Sequence, residues 1–341
     1  MAPPAHIPTR RMGKDGPEVA CIGFGLMGLS SAYGAVGTDE ERFKVLDRAW
    51  EIGATNWDTA DIYGDSEDLV GKWFKMHPER RKDIFLATKF AIQGPITDLS
   101  ANNSPEYIRE ASQRSLKRLG LDYVDLYYVH RLQESVPIEK TIETMTELVK
   151  EGKVKYLGLS ECSSTSLRRA HKVHPIAAVQ VEYNPWDLAI EGEEGTNILA
   201  TCRELGVAVV AYSPFSRGLL TGALKSREDF SDPNDCRLFL PRYSEENFPK
   251  NLELVAEIEK IAKEKGCTSG QLVLAWLLAQ GDEIIPIPGT KRINFLEENT
   301  AAAYVKLTAE EEKSIRNLVD KANIQGDRGA FVNSYCDTVE L

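Results

Sequence analysis

The 341-residue sequence is short of several things, and each shortage excludes a class of protein. No apolar run approaches the ~18 residues of a membrane-spanning helix; the longest is Leu272 to Ala279. The start, Met1 to Thr9, is Pro-rich and has no apolar signal core. Positive charge is in deficit. Lys and Arg number 41 against 52 Asp and Glu, a net charge of −11. That balance argues against general binding of nucleic acid or an anionic membrane, and leaves room only for a local basic pocket. No CxxC occurs, and the six cysteines, at 21, 162, 202, 236, 267 and 336, are scattered. They read as reduced thiols of a cytoplasmic protein. Histidine is scarce, at five residues. His171 and His174 have helical i, i+3 spacing but no Cys or acidic cluster beside them, so no metal site is expected.

What is present suits a soluble globular protein with a sizeable core: 42% hydrophobic and 27% charged residues. Arg10 to Ile22 reads as a hairpin with a turn at Lys14-Asp15-Gly16-Pro17. A literal GxGxxG follows, Gly23 to Gly28. A dinucleotide fold of the Rossmann type would need a helix to open there at once. Instead the next predicted helix starts after Gly37, at the capping-box signature Thr38-Asp39-Glu40-Glu41. From there strands and helices alternate. Predicted helices cover 39–52, 66–76, 105–119, 138–151, 164–173, 194–205, 247–265, 268–280, 292–303 and 308–323. Predicted strands cover 55–59, 84–89, 124–129, 154–159, 178–183, 207–212 and 283–287, with a first one inside 19–25. Eight strand–helix units predict an α/β fold, a (β/α)8 TIM barrel. The N-terminal hairpin, extra helices and a long irregular stretch after strand 7, residues 214–246, are additions to it. The whole chain, 1–341, reads as one domain, with a core at 9–323 and a tail at 324–341. The long stretch reads as a lid or binding loop, with Arg237 and Arg242 as solvated surface.

Three predicted strands end in a polar residue: Asp58, Lys89 and His130, which stand 31 and 41 positions apart. Parallel neighbouring strands would bring the three to one rim, with Tyr63 in the first loop. Polar residues at the carboxyl ends of several barrel strands point to catalysis. Asp58 and Lys89 suit an ion pair. A phenol is a slow acid at neutral pH, and a close ammonium favours its ionised form. His130 could hydrogen-bond a substrate oxygen, as a neutral donor or, at lower pH, as an imidazolium.

The run Asp58-Thr59-Ala60-Asp61-Ile62-Tyr63-Gly64, with Ala87-Thr88-Lys89 and Tyr127-Tyr128-Val129-His130, resembles the active-site motifs of the aldo-keto reductases. Further matches are Gly158-Leu159-Ser160, Gln180 to Asn184, Ala211-Tyr212-Ser213-Pro214, Pro286 to Thr290 and Glu298-Asn299. The resemblance runs from about Arg10 to Ala322. The segment Leu219 to Gly222 and the tail near Asp337-Thr338 resemble the branch holding pyridoxal reductases and related fungal and plant enzymes. The resemblance implies NADPH-dependent, reversible reduction of a small-molecule aldehyde or ketone, a pyridoxal-like aldehyde among them. It implies Asp58, Tyr63, Lys89 and His130 as the catalytic tetrad. Ser160 and Gln180 would hold the nicotinamide carboxamide and Tyr212 would stack on its ring. Gly25 and Met27 would touch the cofactor from the first loop. Ser213, Pro214, Phe215, Gly218 and Leu219 would cover the pyrophosphate. Gly289, Thr290, Lys291, Glu298 and Asn299 would take the adenosine end, with Phe295 beside the adenine.

Thr290 reads as the N-cap of the helix that follows, so Lys291 and Arg292 would flank its start and hold the adenosine 2′-phosphate. Tyr33, Trp57, Phe90 and Trp186 are candidate walls of the substrate pocket. Two departures stand out. Glu161 replaces the Asn that much of the family has after the serine, and Phe295 stands where many members place Arg or Gln. The alternative reading is a cofactor-binding regulatory module resembling potassium-channel beta subunits, against which the absence of a long extra N-terminal segment argues. A barrel isomerase or aldolase with Lys89 as a Schiff base is the other rival.

Overall fold

Strands and helices alternate along the chain in the computed structural model, which describes residues 5–94, 100–328 and 334–341. Part of the Pro-rich start, 1–4, and part of the tail, 329–333, lie outside the described residues. A hairpin comes first, β1 (Thr9–Arg11) against β2 (Glu18–Ala20). Then follow β3 (Phe24–Gly25), α1 (Met27–Ser30), α2 (Asp39–Glu51), β4 (Asn56–Asp58), α3 (Ser66–Met76) and β5 (Phe85–Phe90). A second small hairpin, β6 (Ile92–Gln93) and β7 (Ser100–Ala101), leads to α4 (Pro105–Leu119). Next are β8 (Val124–Val129), α5 (Ile138–Lys150), β9 (Val154–Ser160), α6 (Ser164–Val173), β10 (Ile176–Glu182), α7 (Ile198–Leu205) and β11 (Ala208–Tyr212). The chain ends with α8 (Asn247–Lys265), α9 (Ser269–Ala279), β12 (Ile284–Pro286), α10 (Ile293–Ala301) and α11 (Ala309–Lys321). Helix starts follow capping chemistry. Thr38, Thr268 and Thr308 open α2, α9 and α11 with reciprocal capping boxes, and Ser104 and Ser163 cap α4 and α6.

Eight parallel strands form one sheet in the order β3-β4-β5-β8-β9-β10-β11-β12, curled into the (β/α)8 barrel. The seam between its two edges is made of glycines and prolines. Gly23 N donates to Pro286 O at 2.9 Å and Gly25 N to Pro288 O at 3.1 Å, and Gly25 pairs with Gly289. Closeness also requires glycine here: a Cβ on Gly25 would stand 2.9 Å from Ile287 O, and one on Gly289 2.9 Å from Gly25 O.

Strand periodicity of two separates two cores. Ala87, Leu126, Tyr128, Ala178, Ala208, Val210, Ile285 and Ile287 fill the barrel, and Met12 and Val19 of the first hairpin join them. The other side chains of the same strands pack under the helices in a larger cluster. Continuing each inward file toward the strand's carboxyl end leads from Ala87 to Lys89, from Tyr128 to His130, from Ala178 to Gln180 and from Val210 to Tyr212. The residues that carry chemistry are thus the rim positions of the interior files.

The structure departs from the sequence reading of the elements in several places. The predicted helix 194–205 begins only at Ile198, because Thr196 and Asn197 are both left-handed (φ +56° and +55°). A one-turn helix, Met27–Ser30, follows the glycine-rich loop where none was predicted. The long stretch 214–246 holds four short 3-10 turns, and Arg237 and Arg242 in it are not solvated surface. Arg237 pairs with Asp235, and Arg242 is buried against Asp187. Among the described residues no helix is long and apolar enough to cross a membrane.

Candidate active site

Lys89 sits at the rim with none of its surface exposed. Its ammonium donates to an Asp58 carboxylate oxygen, to Thr59 O at 2.9 Å, and to the Tyr63 hydroxyl at 3.4 Å. The ammonium also lies 4.9 Å from the centre of the Tyr63 ring. Burial works to lower the Lys89 pKa and is the largest single influence. Asp58 and Tyr63 together outweigh it, and the pKa lies above the ordinary lysine value. The second Asp58 oxygen accepts from the Gln180 side-chain amide at 2.7 Å, so the buried carboxylate has a donor on each side.

His130 follows β8 and is nearly buried. Its ring meets that of Tyr63 edge-on, centroids 5.7 Å apart and planes at 83°. Burial pushes its pKa well below the usual range, and the Lys89 and Arg131 charges push it the same way. The imidazole is therefore neutral at ordinary pH. Its Nδ1 has no partner among the described residues, so no protein group there fixes the tautomer.

The loop that carries Tyr63 is tied at several points. Asp61 N donates to Lys89 O at 3.0 Å, Tyr63 N to Ala60 O at 3.1 Å and Ser66 N to Tyr63 O at 3.0 Å. Tyr63 itself is half-buried, as a group that must meet a substrate has to be. An open cavity of about 600 Å³ lies against that loop. It is lined by Asp61, Ile62, Ile92, Gln93, Gly94, Asn102, Tyr107, Glu110 and Arg114, none of them a predicted site residue.

Three consecutive strands supply the next group. Ser160 on β9 is in register with Gln180 on β10, and Glu182 with Tyr212 on β11. The Ser160 hydroxyl accepts from Arg131 at 3.2 Å. A hydroxyl and an amide beside a partly exposed aromatic ring suit a flat ring bearing a carboxamide. The set therefore fits the nicotinamide end of the expected cofactor. Ser213 is left-handed (φ +48°) and its carbonyl accepts from the Asn184 amide at 3.0 Å, while Phe215 and Leu219 are buried. Gly218 is also left-handed (φ +97°).

At the far end Thr290 is not the helix cap. Arg292 takes that position, and the Thr290 hydroxyl accepts instead from Arg292 N at 3.1 Å, in a turn before the helix. The Lys291 ammonium donates to Tyr33 O and Ala35 O, both at 2.9 Å, and so ties the first loop to this end. The Arg292 guanidinium covers the Phe295 ring at 4.0 Å. Glu298 accepts from the Thr268 hydroxyl at 2.6 Å, and Asn299 is buried.

Two pocket-wall candidates are misplaced. Trp57 and Phe90 alternate with inward-facing Asp58 and Lys89, and so face the helices. The Trp57 indole donates to Ala54 O at 2.7 Å and packs on Trp73, centroids 4.9 Å apart. Phe90 stacks on Tyr127 at 5.0 Å. Trp186 is buried in the larger core, its indole N–H without a partner among the described residues. Tyr33 pairs by its backbone with Asp235 of the long stretch, and its ring lies 5.5 Å from the Arg237 guanidinium.

Residues missed in the sequence come from the tail. Arg328 donates to Glu161 at 2.9 Å, to Glu182 at 3.2 Å and to the Tyr212 hydroxyl at 2.9 Å, and it lies 3.5 Å from Asp187. Arg217 also reaches Glu182, at 3.4 Å. This accounts for Glu161. It is buried and left-handed (φ +51°), accepts from Glu182 N at 3.1 Å, and its carbonyl accepts from Cys336 N at 3.0 Å. Burial pushes its pKa up most strongly, but Arg328 and Arg131 hold it below the ordinary value. Glu161 is thus an anchor for the tail.

Comparison with known proteins agrees with this geometry. Residues 21–320 match the model of the Aldo/keto reductase family. The chain is 54% identical to the aldo-keto reductase str7 of Strobilurus tenacellus, over 98% of this chain and 99% of that one. It is 50% identical to the Schizosaccharomyces pombe aldo-keto reductase yakc, named with NADP(+), over 97% and 98%. Among solved structures, a glycerol dehydrogenase from Gluconobacter oxydans superposes with a TM-score of 0.81 at 26% identity, over 95% of this chain and 98% of that one.

Proposed function

This chain belongs to the aldo/keto reductase family, whose members carry out NAD(P)H-dependent carbonyl reduction, and we propose that it uses NADPH to reduce an aldehyde or ketone reversibly, with Tyr63 as the acid. The observation that carries the reading is the fully buried Lys89 ammonium, held by Asp58 and standing 3.4 Å from the Tyr63 hydroxyl. When bound, the reduced nicotinamide supplies the hydride for the carbonyl carbon. The protein supplies the rest. Tyr63 gives its proton to the carbonyl oxygen, and Lys89 stabilises the phenolate left behind. Asp58 keeps Lys89 charged and aimed. Neutral His130 donates its N–H to the substrate oxygen and orients it.

Ser160 and the Gln180 carbonyl are the proposed carboxamide partners, with Tyr212 as the stacking face. The other cofactor residues implied by the resemblance are carried in the same sense, from Gly25 and Met27 to Glu298 and Asn299. An aromatic aldehyde of the pyridoxal kind is the proposed substrate class, on the strength of the Leu219–Gly222 segment and the tail. All six cysteines are free thiols, which suits work in the cytoplasm, and the chain would act as one barrel domain.

The test is an aldehyde panel, pyridoxal included, followed by loss of NADPH absorbance. Tyr63→Phe keeps the ring and removes the proton. Its turnover should fall by about 10²-fold or more, the scale of a lost general acid, with NADPH binding little changed. Near-normal turnover in that variant, or a borohydride-trapped lysine–substrate adduct in the wild type, would sink the reading.

A further inference from the structure

Two arginines one turn apart on α4, Arg114 and Arg118, reach across to the loop between β4 and α3. Arg114 takes the Asp61 carboxylate at 3.2 Å. Arg118 takes the backbone. One of its terminal nitrogens donates to Asp61 O at 2.9 Å and the other to Gly64 O at 2.5 Å. Those carbonyls bracket Tyr63 on either side. The remaining donors face the start of α3: Nε donates to Asp68 at 2.8 Å, and Nη1 lies 3.2 Å from the fully buried Glu67. The fork is largely buried. Gly64 is left-handed (φ +56°), and a Cβ there would stand 2.8 Å from Ser30 O, so the bend beside Tyr63 is confined to glycine.

We infer that Arg118 is a positioning residue, which fixes the Tyr63 hydroxyl over Lys89 by holding both ends of the Asp61–Gly64 bend. The inference rests on the reading of Tyr63 as the acid. A planar guanidinium presents donors on separate nitrogens of a rigid fork, whereas a lysine donates from one nitrogen at the end of a flexible stem. A misplacement of roughly 1 Å at a reacting group can cost up to 10²-fold in rate.

Arg118→Lys is the informative variant, because it keeps a positive charge beside Glu67 and Asp68. Its kcat should fall by about 10-fold or more, while the aldehyde KM and the NADPH Kd stay within about two-fold. The solvent deuterium isotope effect on kcat should rise, because proton donation has become slower. In a Tyr63→Phe background the same substitution should add no further loss, since the bend then positions no proton. If Arg118→Lys fails to fold, Arg118→Ala assayed with added methylguanidinium serves in its place, and partial recovery of kcat is expected. A folded Arg118→Lys with kcat within about two-fold of wild type, an absence of recovery, or an equal fractional loss in the Tyr63→Phe background overturns the inference. If Tyr63→Phe alone turns over normally, the reading of the acid falls and takes this inference with it. If Tyr63→Phe fails but Arg118→Lys does not, this inference alone falls.

Discussion

A buried ammonium is costly unless it is paired and hydrogen-bonded, and Lys89 has both kinds of partner. Removing it should therefore harm the fold as well as the chemistry. Lys89→Met leaves the Asp58 carboxylate buried with only the Gln180 amide, and should abolish reduction and cost about 3–5 kcal/mol of stability. Adding Asp58→Asn should recover part of that stability and none of the activity, which urea denaturation and turnover would show side by side. His130 makes the pH argument. Its folded pKa is depressed, so as pH falls below about 6.5 the unfolded chain takes up the proton first and acid favours unfolding. Asp61 and Asp187 act in the opposite sense. Burial, helped by Glu67 and by Glu182 respectively, raises each to about 6, so the folded state takes up their protons first. The His130 contribution is isolated by comparison with His130→Gln. Between pH 7 and 5.5 the wild type should lose more stability than the variant, by at most about 1.4 kcal/mol per pH unit. Identical pH responses in the two would show that His130 is not held neutral by the fold. Asp58, Lys89 and His130 were legible in the sequence because a polar residue at the end of an apolar strand is conspicuous, and Tyr63 because it shares a motif with Asp58. Arg328 was not. Its carboxylate partners lie 146 and 167 positions away, and nothing local marks it.

Strand periodicity is what turns those residues into a site, and the sequence already carries it. With Asp58 facing in, Trp57 must face out, and the same parity applies to Lys89 and Phe90; nearness in sequence is not nearness in space, and so neither aromatic walls the pocket. The same periodicity predicts where the barrel is tight. A Cβ on Gly158 would stand 2.5 Å from two ring carbons of Tyr128, closer than real contacts come. The ring is fully buried, so it has little room to retreat. Gly158→Ala should cost about 1–3 kcal/mol, the usual range for overpacking. Tyr128→Leu in the same chain should relieve part of it, since the ring carbons are the obstacle. A Gly158→Ala protein as stable as wild type would mean that the barrel interior has slack. Helix positions were the most legible elements: α3, α4, α6 and α8 run over the predicted residues, because a 3.6-residue period marks them, helped by serine caps on α4 and α6 and glycine stops on α4 and α8. The start of α7 was hidden by two left-handed residues, neither of them glycine, and such a bend leaves little trace in composition.

At the scale of the whole molecule the problem is charge. The chain carries −11, and the proposed cofactor is itself a polyanion. Long-range electrostatics therefore work against binding, and any preference for the phosphorylated cofactor has to come from cations at close range. Lys291 and Arg292 are the consecutive pair before α10, and both are exposed. Neither forms an ion pair with a carboxylate among the described residues: Lys291 donates to two neutral carbonyls of the first loop, and Arg292 rests on Phe295. An ammonium has three donors, so Lys291 can keep both carbonyls and still take a phosphate oxygen. Changing both residues to Ser should weaken NADPH binding by roughly 10- to 100-fold, toward the low end of what two charged hydrogen bonds are worth because the site is solvated. NADH, which lacks the 2′-phosphate, should barely respond. The Lys291 bond to the first loop supplies a competing explanation with a different signature. If Lys291 works only by holding Tyr33 and Ala35, its loss loosens the loop for either cofactor, and both affinities fall together. Titrating NADPH and NADH into the wild type and the double variant, at low and at high salt, separates the two. Phosphate reading requires a loss confined to NADPH, with a smaller gap between variant and wild type as salt screens the pair. Parallel losses, or equal affinities for the two cofactors in the wild type, would assign these cations to the loop and leave cofactor choice to another part of the barrel.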